Sequence, residues 1–249
     1  MATTRRIAAV TGGMGGLGEH ICRRLAEADF NVVALHSPGN ARVPTWLAKQ
    51  AELGFQIGSA EVDVASFSSC EAAANDIRQR HGQISVLINN AGVTRDATFR
   101  KMTPLDWDTV LRTNLDSMFN MTKQVINDMI ALGWGRIVNI SSVNGQRGAF
   151  GQANYAASKA GIHGFTKSLA LEFAKSNITV NTISPGYLNT SMVEKISPTI
   201  MKERILPEIP LGRLGDPDEV ANLVTYLASE RAAFITGANL SINGGQHMF

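Results

Sequence analysis

Tyr155 and Lys159 stand four residues apart, so on a helix they share one face. A phenol beside an ammonium ionises more easily, because the positive charge favours the phenolate. Ser142 ends the apolar run Arg136-Ile-Val-Asn-Ile-Ser-Ser142, which reads as a buried strand. If that strand end meets the start of the Tyr155 helix, a hydroxyl, a phenol and an amine share one cleft. Such a set can move a proton to or from an oxygen. A Tyr-x-x-x-Lys pair alone is common and carries little. Its weight depends on the elements that would position it.

The first of these is a glycine turn. Arg6 to Thr11 is a short apolar strand, followed by Gly12-Gly-Met-Gly-Gly-Leu-Gly18, a helical pattern from Glu19 to Ala28, and a second strand from Phe30 to Leu35. Strand, glycine turn, helix and strand make a βαβ unit of the dinucleotide-binding kind. The glycines let the backbone turn sharply and approach a pyrophosphate, whose charge is met at the helix N-terminus. Two registers fit: Gly13, Gly15 and Gly18, or Thr11, Gly12, Gly16 and Gly18. Such units often carry an acid at the end of the second strand for the ribose 2′-hydroxyl. Here Ala34-Leu35-His36-Ser37 holds no acid, and Arg42 follows. A guanidinium without a carboxylate suits a 2′-phosphate, hence NADP (NADPH), although Arg42 also reads as a solvated loop charge.

Further strands end in small or polar residues. Phe55 to Val62 runs into Asp63-Val64, and Val86-Leu-Ile runs into Asn89-Asn90-Ala91-Gly92. Ile178 to Ile183 ends in Ser184-Pro185-Gly186. Ligands bind at such ends in a doubly wound sheet. Between them the pattern gives helices over Trp46–Leu53 and Phe67–His81. Thr103-Pro104 starts a long helix reaching Met129, with Asn114 interrupting its apolar face. The Tyr155 helix extends to about Lys175, and Phe150 to Gln152 reads as linker. Tyr187 to Arg213 lacks a clean strand; its amphipathic residues suggest a helical flap at about 187–213. A helix from Pro217 and a short strand, Asn239 to Ile242, complete the pattern. The expectation is α/β: a single-domain doubly wound parallel sheet (Rossmann fold) over 1–249, with about seven strands and helices on both faces.

Composition narrows the class. A net charge of +2 gives no cause to expect nucleic acid or an acidic membrane as partner. No run of roughly 18 apolar residues or signal-peptide core stands out, so a cytoplasmic protein is expected. Cys22 and Cys70 fall in helical segments and read as small buried hydrophobes, and no metal-ligand spacing appears.

Taken together, Thr11 to Gly18, Asp63-Val64, Asn89 to Gly92, Asn114, Ser142, Tyr155-Ala-Ala-Ser-Lys159 and Ser184-Pro-Gly186 resemble the short-chain dehydrogenase/reductase family from end to end. The resemblance implies the glycine register on Gly12, Gly16 and Gly18, and a catalytic tetrad of Asn114, Ser142, Tyr155 and Lys159. In this reading Lys159 lowers the Tyr155 pKa, Ser142 binds the substrate carbonyl, and Asn114 holds a water leading to Lys159. Cofactor contacts are implied at Gly12, Gly13, Met14, Gly16, Leu17, Gly18, Arg42, Asp63, Val64, Asn89, Asn90, Ala91, Gly92, Tyr155, Lys159, Pro185 and Gly186.

Thr94 to Met102, Gly133 to Arg136, Ser142 to Gln146 and Phe150 to Gln152 look most like the acetoacetyl-CoA reductases within that family. That likeness implies a 3-oxoacyl thioester substrate near Asp96, Lys101, Ser142, Phe150, Gly151, Gln152 and Tyr187, feeding polyhydroxybutyrate synthesis. Ala149 departs from the polar residue those reductases carry. Arg95, Arg100, Lys101, Arg147 and Lys195 are candidates for the CoA phosphates. The 3-oxoacyl-carrier-protein reductases share most of these motifs, and a non-catalytic nucleotide sensor is a further alternative. A homotetramer is implied, packed through the long helices after strands four and five and the C-terminal region.

Overall fold

The computed structural model describes residues 5–190 and 197–248. Among them, seven strands form one sheet in the order β3-β2-β1-β4-β5-β6-β7, and every neighbouring pair is parallel. The strands are β1 (Ile7–Thr11), β2 (Asn31–His36), β3 (Ile57–Glu61), β4 (Ile84–Asn89), β5 (Gly135–Ile140), β6 (Ile178–Pro185) and β7 (Asn239–Ile242). In β1, β4, β5 and β6 every residue is buried, as expected of strands covered on both faces.

The helices are α1 (Gly16–Glu27), α2 (Val43–Glu52), α3 (Phe67–Arg80), α4 (Pro104–Leu111), α5 (Ser117–Leu132), α6 (Val143–Arg147), α7 (Ala153–Phe173), α8 (Pro198–Ile200) and α9 (Pro217–Leu227). One apolar cluster joins the sheet to α3, α5 and α7 through Cys70, Ile77, Met121, Val125, Met129 and Ala170. The other joins its opposite face to α1, α2 and α9 through Ile21, Leu25, Trp46, Val220, Val224 and Leu227. Strand order reverses between β1 and β4, which opens a crevice at their C-terminal ends. No described helix is long and apolar enough to cross a membrane.

The structure corrects several sequence expectations. The long helix from Thr103 is present but not regular throughout. A π turn, Arg112–Asp116, separates α4 from α5 and carries Asn114. The Thr103 cap itself is present, with Asp106 completing a reciprocal capping box. The short helix α6, with the Ser142 hydroxyl as its N-cap, was not expected, while Phe150 to Gln152 stays irregular. The third strand is shorter than Phe55 to Val62, and α1 begins three residues before Glu19, at Gly16.

Residues 191–196 of the expected flap, with Met192, Lys195 and Ile196, lie outside the described residues. Beyond them α8 passes into a π turn (Met201–Ile205) and a 3-10 turn (Leu206–Glu208). A bridge from Leu188 to Gly215 and a bond from Leu211 N–H to the Gly244 carbonyl (3.1 Å) fasten this excursion to the body.

A buried polar chain runs beneath the crevice. Asn89 Nδ2 donates to Asn139 Oδ1 (2.9 Å), Asn139 Nδ2 to Thr166 Oγ1 (2.9 Å), and Thr166 meets the Thr182 hydroxyl (2.7 Å). It ties β4, β5, α7 and β6 together at one level. Paired buried amides specify geometry; orphaned ones cost about 1–3 kcal/mol each. Asn139→Ala should therefore lower the unfolding free energy by roughly 3 kcal/mol, measured by urea titration. A loss near zero would show that the chain fixes nothing.

Candidate active site

The glycine turn is shaped by contact rather than by flexibility alone. A Cβ on Gly18 would lie 2.1 Å from the Gly12 carbonyl oxygen, so no larger residue fits there. Gly12 itself has φ +62°, a conformation that favours glycine. Gly15 caps α1 without any side-chain hydrogen bond, which leaves the first-turn N–H groups around Gly16, Leu17 and Gly18 facing outward from the helix end. Such a cradle fits a pyrophosphate. Gly13 and Met14 are buried, Met14 at 6% exposure, and Leu17 packs on the apolar core.

Behind the cradle, the Thr11 hydroxyl accepts from the N–H groups of Asn90 (2.9 Å) and Ala91 (3.0 Å). Asn90 Nδ2 returns a bond to the Thr11 carbonyl (3.0 Å). Asn90 therefore staples β1 to β4. Asn89 Nδ2 belongs to the buried polar chain, so this donor serves the sheet. The Asp63 carboxylate accepts from Ala65 N–H (3.0 Å) in a local turn, and the Val64 carbonyl accepts from Asn120 Nδ2 (2.9 Å). Gly92 is exposed at the crevice, and Gly186 follows Pro185 with its N–H on the Ile242 carbonyl (3.0 Å). Arg42 is exposed at the start of α2, in a loop braced by Gly39 N–H on the Glu61 carboxylate (3.0 Å).

Ser142, Tyr155 and Lys159 do converge. The Ser142 hydroxyl accepts from Asn144 N–H (3.1 Å) and lies close enough to the Tyr155 phenol to lower its pKa. The Lys159 ammonium lies 5.7 Å from the centre of the Tyr155 ring. It donates to the Ile140 carbonyl (2.8 Å) at the end of β5. Gly145 of α6 lies directly on Lys159, since a Cβ there would come within 2.8 Å of the Lys159 backbone and Cβ. Lys159 is 3% exposed, and this burial lowers its pKa from 10.5 to about 8.

The Tyr155 phenol moves opposite to expectation. Burial pushes its pKa up, the Ser142 hydroxyl opposes the rise, and the Asp96 carboxylate and Tyr187 add to it. Burial is the largest cause, and it favours the neutral phenol. Asn114 is held by its neighbours. Its Oδ1 accepts from Val93 N–H (2.8 Å), and its Nδ2 donates to the Val93 carbonyl (3.0 Å) and the Ser158 hydroxyl (3.2 Å). A side chain so engaged has one acceptor lone pair left for a water.

Four residues missed in the sequence support the site. Asn154, fully buried, donates to the Arg95 and Asp106 carbonyls (both 3.1 Å). Ser141 donates to the Lys159 carbonyl (2.8 Å), and His163 meets the Ser141 hydroxyl (3.0 Å). Asn144 donates to Gln152 Oε1 (2.9 Å). Only the i, i+4, i+8 spacing of Tyr155, Lys159 and His163 could have flagged one of them.

At the mouth, Gln152 Nε2 donates to Asp96 (2.8 Å), and the Gly151 carbonyl accepts from Ala97 N–H (2.9 Å). Phe150 is 94% exposed, Lys101, Arg95 and Arg100 are exposed, and Tyr187 is partly buried. Arg147 is paired with Glu208 (2.9 Å), which joins α6 to the 3-10 turn beyond α8.

Residues 6–200 match the family model described as short chain dehydrogenase. The chain belongs to that family. It is therefore an oxidoreductase of the nicotinamide-dependent kind. An acetoacetyl-CoA reductase of Cupriavidus necator is 54% identical over 98% of this chain and 99% of its own length. A protein of Azospirillum brasilense named nodulation protein G is 50% identical over 97% and 98%. An acetoacetyl-CoA reductase of Allochromatium vinosum is 48% identical over 98% and 99%.

The buried Lys159 has a measurable signature. Between pH 8 and 10.5 the unfolded chain holds a proton on this group that the folded chain has lost, so stability rises with pH across that window. The full contribution is roughly 3 kcal/mol. Urea unfolding at pH 7.5 and pH 10 should show that rise in the wild type and a much smaller one in Lys159→Met. An equal rise in both would place the titration elsewhere.

Proposed function

We propose that this protein reduces acetoacetyl-CoA to 3-hydroxybutyryl-CoA with NADPH, supplying polyhydroxybutyrate synthesis in the cytoplasm. The observation that carries the reading is the convergence of Ser142, Tyr155 and Lys159 at the end of β5. The family, and the reductases that match along nearly the whole chain, fix the class of chemistry. A protein that only sensed a nucleotide would have no use for the three groups together.

The cradle at Gly12, Gly16 and Gly18 suits a dinucleotide, which when bound supplies the hydride. The chain's own groups manage the substrate oxygen. Asn144 N–H occupies one lone pair of the Ser142 hydroxyl, so Ser142 directs its proton to the ketone oxygen as that oxygen gains charge. A donor of this kind is worth about 3 kcal/mol of barrier. Tyr155, kept protonated by its surroundings, delivers the proton. Lys159, charged below about pH 8, binds the nicotinamide ribose and replenishes Tyr155. Asn114 holds Val93 and so fixes the backbone beside Gly92, next to the Lys159 ammonium.

Asp96, Gln152, Phe150, Gly151, Lys101 and Tyr187 line the thioester side, with Arg95 and Arg100 free to meet CoA phosphates. Arg42 reads the 2′-phosphate. Ala160, Gly164 and Ser168 form an exposed stripe of small residues on α7, and Phe119 and Leu171 are exposed apolar residues on α5 and α7. Both support packing of α5 and α7 in a homotetramer.

Absorbance at 340 nm should fall when NADPH and acetoacetyl-CoA are mixed with the protein, and Tyr155→Phe should stop this while NADPH still binds. No turnover of any 3-oxoacyl thioester would refute the reading. Parallel kinetics with the acetoacetyl ester of a carrier protein test the choice of acyl carrier, and CoA should give the higher kcat/KM. Arg42→Ala should reduce the preference for NADPH over NADH about tenfold or more. Unchanged discrimination would remove Arg42 from the cofactor site.

A further inference from the structure

Asn144 sits in α6, two residues after Ser142, and is 8% exposed. It addresses the cleft twice. Its backbone N–H donates to the Ser142 hydroxyl (3.1 Å), and its Nδ2 donates to Gln152 Oε1 (2.9 Å). Gln152 Nε2 in turn donates to the Asp96 carboxylate (2.8 Å). The direction of this chain is fixed by its end. A carboxylate only accepts, so Gln152 turns its NH2 toward Asp96 and its carbonyl toward Asn144. Asn144 must then present its own NH2. Its Oδ1 is left buried without a hydrogen-bond partner among the described residues.

That arrangement weakens the fold, because an orphaned buried carbonyl is unfavourable. A leucine of similar size would pack there without the penalty. What the amide does contribute is position. It holds Gln152, whose second N–H remains available, and through Gln152 it holds Asp96. The same residue's backbone orients Ser142. A 3-oxoacyl thioester carries two carbonyl oxygens, one to be reduced and one on the thioester. Ser142 is the donor for the first, and Gln152 offers a donor for the second.

We propose that Asn144 is a positioning residue that sets Gln152 and Asp96 beside Ser142, and so fixes how the thioester end of the substrate is held. The assignment rests on the reductase reading above and names a residue behind its substrate binding. The loop bearing Asp96 supports it. Val93, Arg95, Asp96 and Ala97 are each tied to the π turn or to the start of α7, so Asp96 is held on a fixed strip of backbone.

The test is Asn144→Leu, Gln152→Ala and the double variant, in steady-state kinetics and thermal melts. Asn144→Leu should raise KM for acetoacetyl-CoA about tenfold, with kcat within about twofold and KM for NADPH unchanged. Its melting temperature should equal or exceed the wild type. The double variant should be no worse than Gln152→Ala alone. An unchanged KM, a fall in kcat that tracks a lower melting temperature, or effects that multiply would each overturn the assignment.

A second readout needs no substrate, so it separates this assignment from the reductase reading. The Tyr155 phenol faces the Ser142 hydroxyl, Asp96, Tyr187 and Lys159. Releasing Asp96 removes a held negative charge, so the Tyr155 titration, followed by ultraviolet difference absorbance against Tyr155→Phe, should move to lower pH in Asn144→Leu. A wild type inactive on acetoacetyl-CoA with this shift present refutes the substrate and keeps the positioning of Asp96. An unmoved titration refutes the positioning.

Discussion

A buried ammonium is the constraint that the rest of this site answers to. Lys159 is nearly sealed from water, yet its charge has work to do at neutral pH. Its partner is one backbone carbonyl, at Ile140, and that carbonyl has to be delivered by the last residue of a strand. The strand in turn is held level with its neighbours by the Asn89–Asn139–Thr166 chain. Gly145 lets α6 press on the lysine backbone, and Ser141 holds its carbonyl from the other side. A charge kept in a dry place demands fixed dipoles around it, and the polar residues buried here supply them.

The tyrosine then takes a complementary role. An exposed phenol beside an ammonium would drift toward the phenolate. Within this cleft, desolvation and the Asp96 carboxylate hold it neutral. A neutral phenol is the form that can give a proton away. The Ser142 hydroxyl works against the rise, drawing the phenol back toward its ordinary pKa.

Much of this was legible in the residues. The βαβ unit at Thr11–Gly18, the parallel sheet and the Ser142–Tyr155–Lys159 set follow from apolar runs, glycine spacing and helical period. The glycine register was open from spacing alone, and Gly18 against the Gly12 oxygen shows why a side chain cannot enter. Other features were illegible for physical reasons. Asn89 and Asn90 are neighbours with the same side chain, but strand alternation sends one into the sheet's interior and the other to the crevice wall. Asn114, Asn144 and Asn154 look alike in a string of letters, and only their partners distinguish them. The sign of the Tyr155 shift depends on burial, which a helical pair does not reveal.

The π turn at Arg112–Asp116 has a consequence for how this chain can change length. It holds one residue more than an α-helical path would need. Because a widened turn absorbs its surplus locally, removing a single residue there would let α4 run into α5 as ordinary helix with little change in their relative phase. What would be lost is the widened backbone that carries Asn114 to Val93. The irregularity is a local fitting for one side chain.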